Sequence, residues 1–394
     1  MLNSTKVRIG VIGLGNMGSS HASFISGLDN AALASVCDII PEKADKFAEK
    51  FNVKAYYNHK DMLEDPALDA VLVATPHYDH VPVTIDALRK GVHVLCEKPL
   101  TVHVNGARNM IEAYGEAKKQ KPDLVFGIML NERTFPYYKK IKDIITGGEL
   151  GRLTRVTWIN TAWFRSQAYY DSGGWRATWA GEGGGTLTNQ CPHNLDMYQW
   201  LFGMPAKVNG FAHLGKYHNI EVEDEVTAYM EHDNGMIGHF IVTTGECPGV
   251  NRLEIAGENG ALVYCRGQLI FYRNRVSMLK YLNETKESFG TVENWETHIP
   301  VDGSQPYNHP VVIQKFAETI LTGHDVLIAR GEEGLNQVML ANGIMLSSFN
   351  EAAVRFPLNG DAYERKLEEL IKASVFVKHV DAGARADLSK SFAR

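Results

Sequence analysis

The sequence predicts an α/β protein with two domains, because its pattern of apolar residues changes near residue 130. Before that point, short apolar strands alternate with amphipathic helical stretches, which is typical of a parallel sheet covered on both faces. After it the strands are longer, alternate more in polarity and are joined by tight turns. A length of 394 residues also exceeds what one hydrophobic core usually serves. We therefore expect a first domain over 1–130 and an α+β second domain over 131–394.

The first domain carries five predicted strands separated by helical stretches. The strands are 7–13, 32–38, 69–75, 91–97 and 123–129. The intervening stretches 41–51 and 80–91 have the spacing of apolar residues that amphipathic helices show. This order of elements predicts a doubly wound parallel sheet.

The second domain begins with a predicted helix over 137–151, which ends at glycines. Asn-Gly turns in "HDNG" and "GENG" join strands further on, because Asn-Gly supplies the positive φ that hairpins need. Successive hairpins predict a mostly antiparallel sheet, and 310–323 and 332–353 are predicted to close the domain as helices. The charged tail over 360–394 fits either an oligomer arm or a frayed end.

The composition favours a globular enzyme of the cytoplasm. A formal net charge of -6 argues against nucleic acid and anionic membranes as partners, since both select basic surfaces. No segment approaches the roughly 20 apolar residues of a membrane span, and the first residues lack the pattern of a signal peptide. The 5 cysteines are scattered without a C-x-x-C pair, which indicates reduced thiols.

A glycine motif directly follows the first predicted strand. The stretch "VRIGVIGLGNMGSSH" (7–21) contains Gly13, Gly15 and Gly18 in the spacing Gly-x-Gly-x-x-Gly, and a helical pattern follows. In that context Gly13 permits a tight turn, Gly15 lets the backbone approach a pyrophosphate, and Gly18 lets helix and strand pack closely. The phosphates would meet free N–H groups at the helix N-terminus. A glycine turn without a ligand is the alternative.

Asp38 ends the second predicted strand, about 20 residues after the glycines, where dinucleotide-binding folds place an acidic residue. A carboxylate there accepts hydrogen bonds from the adenosine ribose hydroxyls and repels a 2′-phosphate. Ile39, Ile40 and Pro41 follow it, with no Arg or Lys to attract that phosphate. We therefore expect NAD, rather than NADP, as the cofactor.

Three further segments carry a resemblance to a known family: "ATPHYDH" (74–80), "CEKPL" (96–100) and "GGGTLTNQCPHNLDMYQWLFG" (183–203). Together with the dinucleotide-binding half, they resemble the glucose–fructose oxidoreductase and inositol dehydrogenase (Gfo/Idh/MocA) family over roughly residues 5 to 350. The resemblance implies an N-terminal Rossmann domain and a C-terminal domain with a large, mostly antiparallel open sheet. It also implies a homo-oligomer, a dimer or tetramer, and a redox reaction at a secondary carbinol of a sugar or cyclitol.

The resemblance assigns catalysis to Lys98, His193 and Asn189. In that family the lysine of Glu-Lys-Pro lies beside the nicotinamide and the reacting oxygen, where a cation stabilises a developing alkoxide. His193 opens a predicted helix, and because the helix dipole disfavours imidazolium, we expect a neutral ring that takes the hydroxyl proton. Asn189 stands where the family commonly has aspartate. Because an amide carries no negative charge, a charge relay from this position to His193 is weakened. Branches that act on glycosides, including sugar 3-dehydrogenases, can carry asparagine here.

The remaining expected contacts follow from the family register. Cofactor contacts are expected at Gly13, Gly15, Asn16, Met17, Gly18, Asp38, Thr75, Pro76, His80, Glu97, Lys98, Trp175 and Arg176. Substrate contacts are expected at Lys98, Arg165, Trp175, Asn189, His193 and Asp196. His80 also fits a helix cap, and Asp196 also fits a surface position on a helix.

Two other stretches bear on the substrate and on metals. The segment "TAWFRSQAYYDSGGWRATW" (161–179) is dense in aromatic residues, which pack well on the C–H faces of sugars, although we expect at least half of them in the core or an interface. The stretch "HNIEVEDEV" (218–226) has metal-ligand residue types, but an exposed acidic loop fits better. We expect no metal site.

These observations predict an NAD-dependent dehydrogenase that oxidises a secondary hydroxyl of a sugar, at C3 of a glucoside. An NAD-dependent glycosidase that oxidises the sugar transiently, eliminates the aglycone and reduces the sugar again needs the same residues. A cyclitol (inositol) dehydrogenase is a further alternative. A non-catalytic NAD-sensing protein is disfavoured, because Lys98 and His193 are both present.

Overall fold

The first domain of the computed structural model, which describes residues 5–381, is built on a parallel sheet. Its strands are β1 (Val7–Ile12), β2 (Ala31–Cys37), β3 (Lys54–Tyr56), β4 (Ala70–Val73), β5 (His93–Cys96) and β6 (Phe126–Ile128). They lie in the order β3-β2-β1-β4-β5-β6, which is the Rossmann order. The sheet confirms the predicted fold class. The short β3 was not predicted, because three residues show too little alternation.

Helices cover both faces of this sheet. They are α1 (Asn16–Ser26), α2 (Pro41–Phe51), α3 (His59–Leu63), α4 (His80–Arg89) and α5 (Val104–Gln120). One apolar cluster contains Val71, Val73 and Val94, and a second cluster contains Leu72 and Leu95 from the opposite face of the same strands. Burial on both faces is the reason that these strands are continuously apolar.

The second domain is a nine-stranded sheet with helices. Its elements are α6 (Pro136–Thr146), β7 (Leu153–Asn160), α7 (Gln167–Asp171), α8 (Pro192–Phe202), β8 (Lys207–Leu214), β9 (Glu223–Glu231), β10 (Ile237–Thr243), β11 (Asn251–Gly257), β12 (Gly260–Cys265), β13 (Gln268–Asn274), α9 (Met278–Glu284), β14 (Asn294–His298), α10 (His309–Thr322), α11 (Gly334–Asn350), β15 (Val354–Arg355) and α12 (Gly360–Ala373). The strand order is β14-β13-β12-β11-β7-β10-β9-β8-β15. Both Asn-Gly turns join antiparallel neighbours, as predicted. The pair β7–β10 is parallel.

One helix of the C-terminal half returns to the first domain. Helix α10 packs on α1, β1 and β5. Its side chains Val312, Ile313 and Phe316 are buried in the same cluster as Leu72. The boundary at residue 130 stays a prediction, and this packing shows that a later segment completes the first domain's core.

The predicted tail begins as a helix. Helix α12 packs on α5 and α11, and residues 374–381 continue from it without regular structure. The rest of the tail, 382–394, lies outside the described residues. Between residues 5 and 381 no helix has the length and apolar character needed to cross a bilayer. All five cysteines are free thiols, and three of them are buried.

Gly15 and Gly18, at the start of α1, predict different effects of an added methyl group on stability. A Cβ on Gly18 would lie 1.8 Å from the Gly13 carbonyl oxygen, whereas a Cβ on Gly15 would meet nothing within 4 Å. We expect Gly18→Ala to lower the free energy of unfolding by about 1–3 kcal/mol, as overpacking does. Gly15→Ala should change it by less than about 0.5 kcal/mol. Urea denaturation measures both, and equal stability of the two variants would contradict this packing.

Candidate active site

A cleft of about 660 Å³ lies where the carboxyl ends of the first sheet face the second domain. Ligands of doubly wound sheets bind at this edge. The predicted site residues that line the cleft are Gly13, Gly15, Asn16, Met17, Asp38, Thr75, Pro76, His80, Glu97, Lys98, Arg165, Trp175, Arg176, Asn189 and His193. Gly18 and Asp196 do not line it. Segments separated by more than a hundred residues in sequence therefore meet in one cleft.

The glycine turn forms one end of the cleft. Gly13 has φ +89°, and a Cβ there would lie 2.7 Å from the Ala74 carbonyl oxygen, so the turn requires glycine. Gly15 has open space where a side chain would stand, at the N-terminus of α1. That open space and the free N–H groups of the helix fit a dinucleotide pyrophosphate.

The Asp38 carboxylate is fixed beside this turn. Its Oδ2 accepts a hydrogen bond from the Leu14 N–H at 2.8 Å, and its Oδ1 accepts one from the Ile40 N–H at 2.9 Å. This geometry fits the predicted ribose contact. No basic residue directly follows Asp38, but Lys43 and His59 also line this part of the cleft, which sequence spacing alone did not reveal.

Lys98 follows β5 and reaches across to the second domain. Its Nζ donates a hydrogen bond to the backbone carbonyl oxygen of Asn189 at 3.0 Å, and the Lys98–Pro99 peptide bond is cis. Burial lowers the pKa of the Lys98 ammonium, while the negative charge of Glu97 opposes that shift. An ammonium has three donors, so one bond to a carbonyl leaves donors for a substrate oxygen.

Glu97, the residue before Lys98, carries a buried carboxylate. Its Oε2 accepts the Lys98 backbone N–H at 3.0 Å, and its Oε1 accepts a hydrogen bond from His21 Nε2. Burial raises the pKa of Glu97, but the bond and charge of His21 outweigh burial and lower it to about 2. The His309 ring packs 5.6 Å from the His21 ring and lines the cleft. Neither histidine was predicted from sequence, because His21 ends the glycine-motif stretch without a role in it and His309 lies in no motif.

His193 is the second residue of α8, and its ring lines the cleft. Its Nδ1 is buried and has no hydrogen-bond partner among the described residues. Burial lowers the pKa of His193 well below its ordinary value, and the positive charge of Lys98 lowers it further. The ring is therefore neutral near pH 7. A neutral imidazole that lines the cleft is suited to general-base catalysis.

Asn189 lies in a π-helical turn (Thr186–Gln190) and is paired with a carboxylate that the sequence analysis missed. Its Nδ2 donates a hydrogen bond to Glu182 Oε1. Glu182 Oε2 accepts the Ala177 N–H at 2.6 Å, and the Arg176 guanidinium lies 3.9 Å from Oε1. Burial raises the pKa of Glu182, and Arg176 opposes the shift. Glu182 thus places a carboxylate next to position 189, where the family resemblance implied an aspartate.

The acidic stretch 218–226 is not an exposed loop, so that expectation was wrong. Glu223 and Asp224 are completely buried. Glu223 accepts hydrogen bonds from the N–H groups of Gly185 at 2.8 Å and Leu187 at 2.9 Å, and burial raises its pKa to about 7. These bonds anchor the turn that carries Asn189. Across residues 5–381, no group of three or more side chains is arranged to hold a metal ion.

Two predicted contact residues are engaged within the protein. The His80 ring nitrogens lie 2.8 Å from the Pro99 carbonyl oxygen and 2.9 Å from that of Thr75, so His80 ties two parts of the cleft wall together. Asp196 is 1% exposed, and its carboxylate accepts hydrogen bonds from Arg133 at 2.6 and 2.8 Å. Asp196 is therefore neither a surface residue nor part of the cleft lining.

The aromatic segment divides between cleft and core. Trp163, Tyr169 and Trp175 line the cleft. Tyr170 and Trp179 are buried in the core. Tyr169 accepts a hydrogen bond from Gln190, the residue after Asn189, whose carbonyl oxygen accepts one from Lys98, so the aromatic wall lies near Lys98.

Comparison with known families settles the family. Residues 7–121 match the oxidoreductase family with an NAD-binding Rossmann fold, and residues 138–263 match the GFO/IDH/MocA C-terminal domain. The chain belongs to the Gfo/Idh/MocA family. The resemblance stated from sequence is confirmed, and the first domain is an NAD-binding Rossmann domain of this family.

Individual relatives are sugar and polyol dehydrogenases. The chain is 34% identical to a myo-inositol 2-dehydrogenase from Thermotoga maritima over 38% of its own length, and it spans only 45% of that enzyme. It is 25% identical to a glucose-6-phosphate 3-dehydrogenase from Bacillus subtilis, over 68% of this chain and 76% of the relative. The WlbA dehydrogenase from Chromobacterium violaceum, solved with NADH and UDP-GlcNAcA, has a TM-score of 0.76 and 25% identity, covering 91% of this chain and 98% of that one.

The contact between Asn189 and Glu182 predicts that aspartate is unfavourable at position 189 of this family member. Asn189→Asp replaces an amide donor by a second carboxylate, and two adjacent carboxylates cannot both ionise easily. We expect a loss of about 1–3 kcal/mol in the free energy of unfolding at pH 8. The loss should shrink toward pH 5, because a carboxyl with a raised pKa favours the folded state when it is protonated. Urea denaturation at both pH values measures this.

The matched control removes the repulsion. The double variant Glu182→Gln/Asn189→Asp again pairs one carboxylate with one amide, so its stability at pH 8 should recover most of the loss. If Asn189→Asp alone is as stable as the natural chain at both pH values, this interpretation is wrong.

Proposed function

We propose that this chain is an NAD-dependent dehydrogenase that oxidises a secondary hydroxyl of a sugar, at C3 of a glucoside. The observation that carries the proposal is the placement of Lys98 and His193 in one cleft whose far end holds the glycine turn and Asp38. When bound, the nicotinamide supplies the hydride acceptor for the carbinol carbon. The chain itself must orient the hydroxyl, remove its proton and stabilise the oxygen.

His193 and Lys98 divide these tasks. The His193 ring, which lines the cleft, accepts the hydroxyl proton, since its lowered pKa keeps it unprotonated. The Lys98 ammonium donates a hydrogen bond to the same oxygen and stabilises the negative charge that develops on it. Glu97 and the Asn189 carbonyl hold Lys98 in place from two sides.

The residues of the first domain fit the cofactor. Gly15 and the start of α1 would hold the pyrophosphate, and Asp38 would accept hydrogen bonds from the adenosine ribose. Since a carboxylate repels a 2′-phosphate, Asp38 supports NAD over NADP, although Lys43 lies nearby.

The other end of the cleft supports a sugar substrate. Trp163, Tyr169 and Trp175 offer aromatic faces, and Arg165 and Asn189 offer hydrogen-bond donors for hydroxyl groups. The Bacillus relative is named for oxidation at position 3 of a glucose ring, which supports C3. A cyclitol is the second candidate, because the Thermotoga relative is a myo-inositol 2-dehydrogenase.

A substrate panel tests the proposal. The purified protein is incubated with NAD or NADP and with glucosides, free glucose or myo-inositol, while reduced nicotinamide and released aglycone are followed together. We expect reduced nicotinamide to form fastest with NAD and a glucoside. Aglycone release without net reduction would replace the proposal by a glycosidase, and faster turnover of inositol would replace it by a cyclitol dehydrogenase.

Lys98→Met tests the mechanism in the same assay. We expect kcat to fall by about 10²–10³-fold, as when one donor to a developing oxyanion is removed, while NAD still binds. Lys90→Met is the matched control, because Lys90 is exposed and pairs with Glu64 away from the cleft. A Lys98→Met variant with full activity would refute the mechanism.

The pKa shifts of the two groups predict the pH profile of kcat/KM. The base must be unprotonated, so activity falls as pH drops through the pKa of His193, which lies below 6.5. The cation must be protonated, so activity falls as pH rises through the pKa of Lys98, which lies below 10.5. Lys98→Arg should move the alkaline limb upward, since a guanidinium stays charged. An acid limb centred above pH 6.5 would contradict the assignment of His193.

A further inference from the structure

Residues 374–381, which we name the C-terminal strap, run from α12 across the outside of the aromatic segment. The Lys378 Nζ donates a hydrogen bond to the Tyr170 carbonyl oxygen at 2.7 Å. The Asp381 N–H donates one to the Asp171 carbonyl oxygen at 3.0 Å. The strap therefore binds the last two residues of α7 through their backbone.

The beginning of the strap is tied to the same region. Ser374 Oγ donates a hydrogen bond to Glu221 Oε2, and Glu221 Oε1 accepts the Trp179 N–H at 2.8 Å. One carboxylate thus connects the strap to the end of the aromatic segment.

Only one face of the strap contacts the protein. Phe376 and Lys378 are half-buried, whereas Val375 and Val377 are 92% and 86% exposed. The inward position of Lys378 brings its charge close enough to act on Glu182: burial raises the pKa of Glu182, and the Lys378 charge is one of the groups that oppose this rise. Ordering a long lysine side chain costs conformational entropy. The hydrogen bond to the Tyr170 carbonyl oxygen offsets this cost.

The helix that the strap holds is too short to be stable alone. Helix α7 has 5 residues, so its position depends on tertiary contacts. It carries Tyr169, whose hydroxyl oxygen accepts hydrogen bonds from Arg176 Nη1 at 2.8 Å and Gln190 Nε2 at 3.1 Å. The Tyr169 ring also lies 5.1 Å from the Arg165 guanidinium. Tyr169 and these three partners all line the cleft.

We propose that the C-terminal strap is a positioning element for the sugar end of the cleft, with Lys378 as its main positioning residue. By holding the carbonyls at the end of α7, it fixes Tyr169 and, through Tyr169, the polar groups that face the sugar. The strap sets the affinity and selectivity for sugar and leaves the dinucleotide end unchanged. This inference rests on the proposed function in taking the substrate to be a sugar.

Two truncations separate the strap from the residues after it. One ends the chain at residue 373 and removes the strap, and the other ends it at 381 and keeps the strap. We expect the shorter chain to show about a tenfold higher KM for the sugar, the loss typical of a charge-assisted hydrogen bond. Its kcat and its KM for NAD should change less than about threefold. The chain ending at 381 should behave as the full chain. Equal kinetics for the two truncations would overturn the proposal.

Point variants in the full chain test the same step without relying on folding of a truncated protein. Lys378→Met removes the bond to Tyr170, and Lys372→Met is the matched control, because Lys372 is exposed and pairs with Glu368 on α12. Hydrogen exchange of residues 167–174 should speed up by about tenfold in Lys378→Met only. This readout requires no substrate, so it tests the strap even if no sugar is oxidised. Unchanged exchange in Lys378→Met would overturn the strap's role, whereas a natural chain inactive on every sugar would overturn the proposed function alone.

Discussion

The hydrogen bond from Lys98 Nζ to the Asn189 carbonyl oxygen joins the two domains at the centre of the cleft. A half-buried ammonium must have acceptors, because desolvating a charge without partners is costly. Lys98 comes from the loop after β5, and Asn189 comes from a turn that Glu223 anchors by two backbone hydrogen bonds. The position of the Lys98 ammonium therefore depends on how the second domain docks on the first, and not on the Rossmann domain alone.

Buried carboxylates lie close to this cation, and two of them are satisfied by groups other than the ammonium. Glu97 is paired with His21, and Glu182 is paired with Asn189 and the Ala177 N–H. In residues 5–381 the Lys98 Nζ hydrogen-bonds only to a carbonyl oxygen. The surrounding negative charge supports the protonated lysine, while the absence of a direct carboxylate partner keeps its donors available for a reacting oxygen.

The sequence predicted the parts of this molecule whose physical basis is local. Strand and helix periodicity, the glycine turn and Asp38 each depend on residues close together in the chain, and the periodicity predicted a doubly wound parallel sheet. Glu182 and His309 carry no local signal, because their roles arise from contacts with residues that are distant in sequence. The acidic stretch was misread for a different reason. Its composition indicates exposure, but backbone N–H groups satisfy Glu223 inside the protein.

The two ends of the cleft differ in how they are built, and this difference bears on substrate selectivity. The dinucleotide end is a turn between β1 and α1 in the middle of a buried sheet, so its geometry is fixed by the core. The other end, where we propose that the sugar binds, is formed by α7 and the π-helical turn and is supported by the strap, all short elements held by side-chain and backbone hydrogen bonds. Such elements lie at the low end of local stability. Substitutions in them can therefore alter the sugar site at little cost to the core that holds the cofactor.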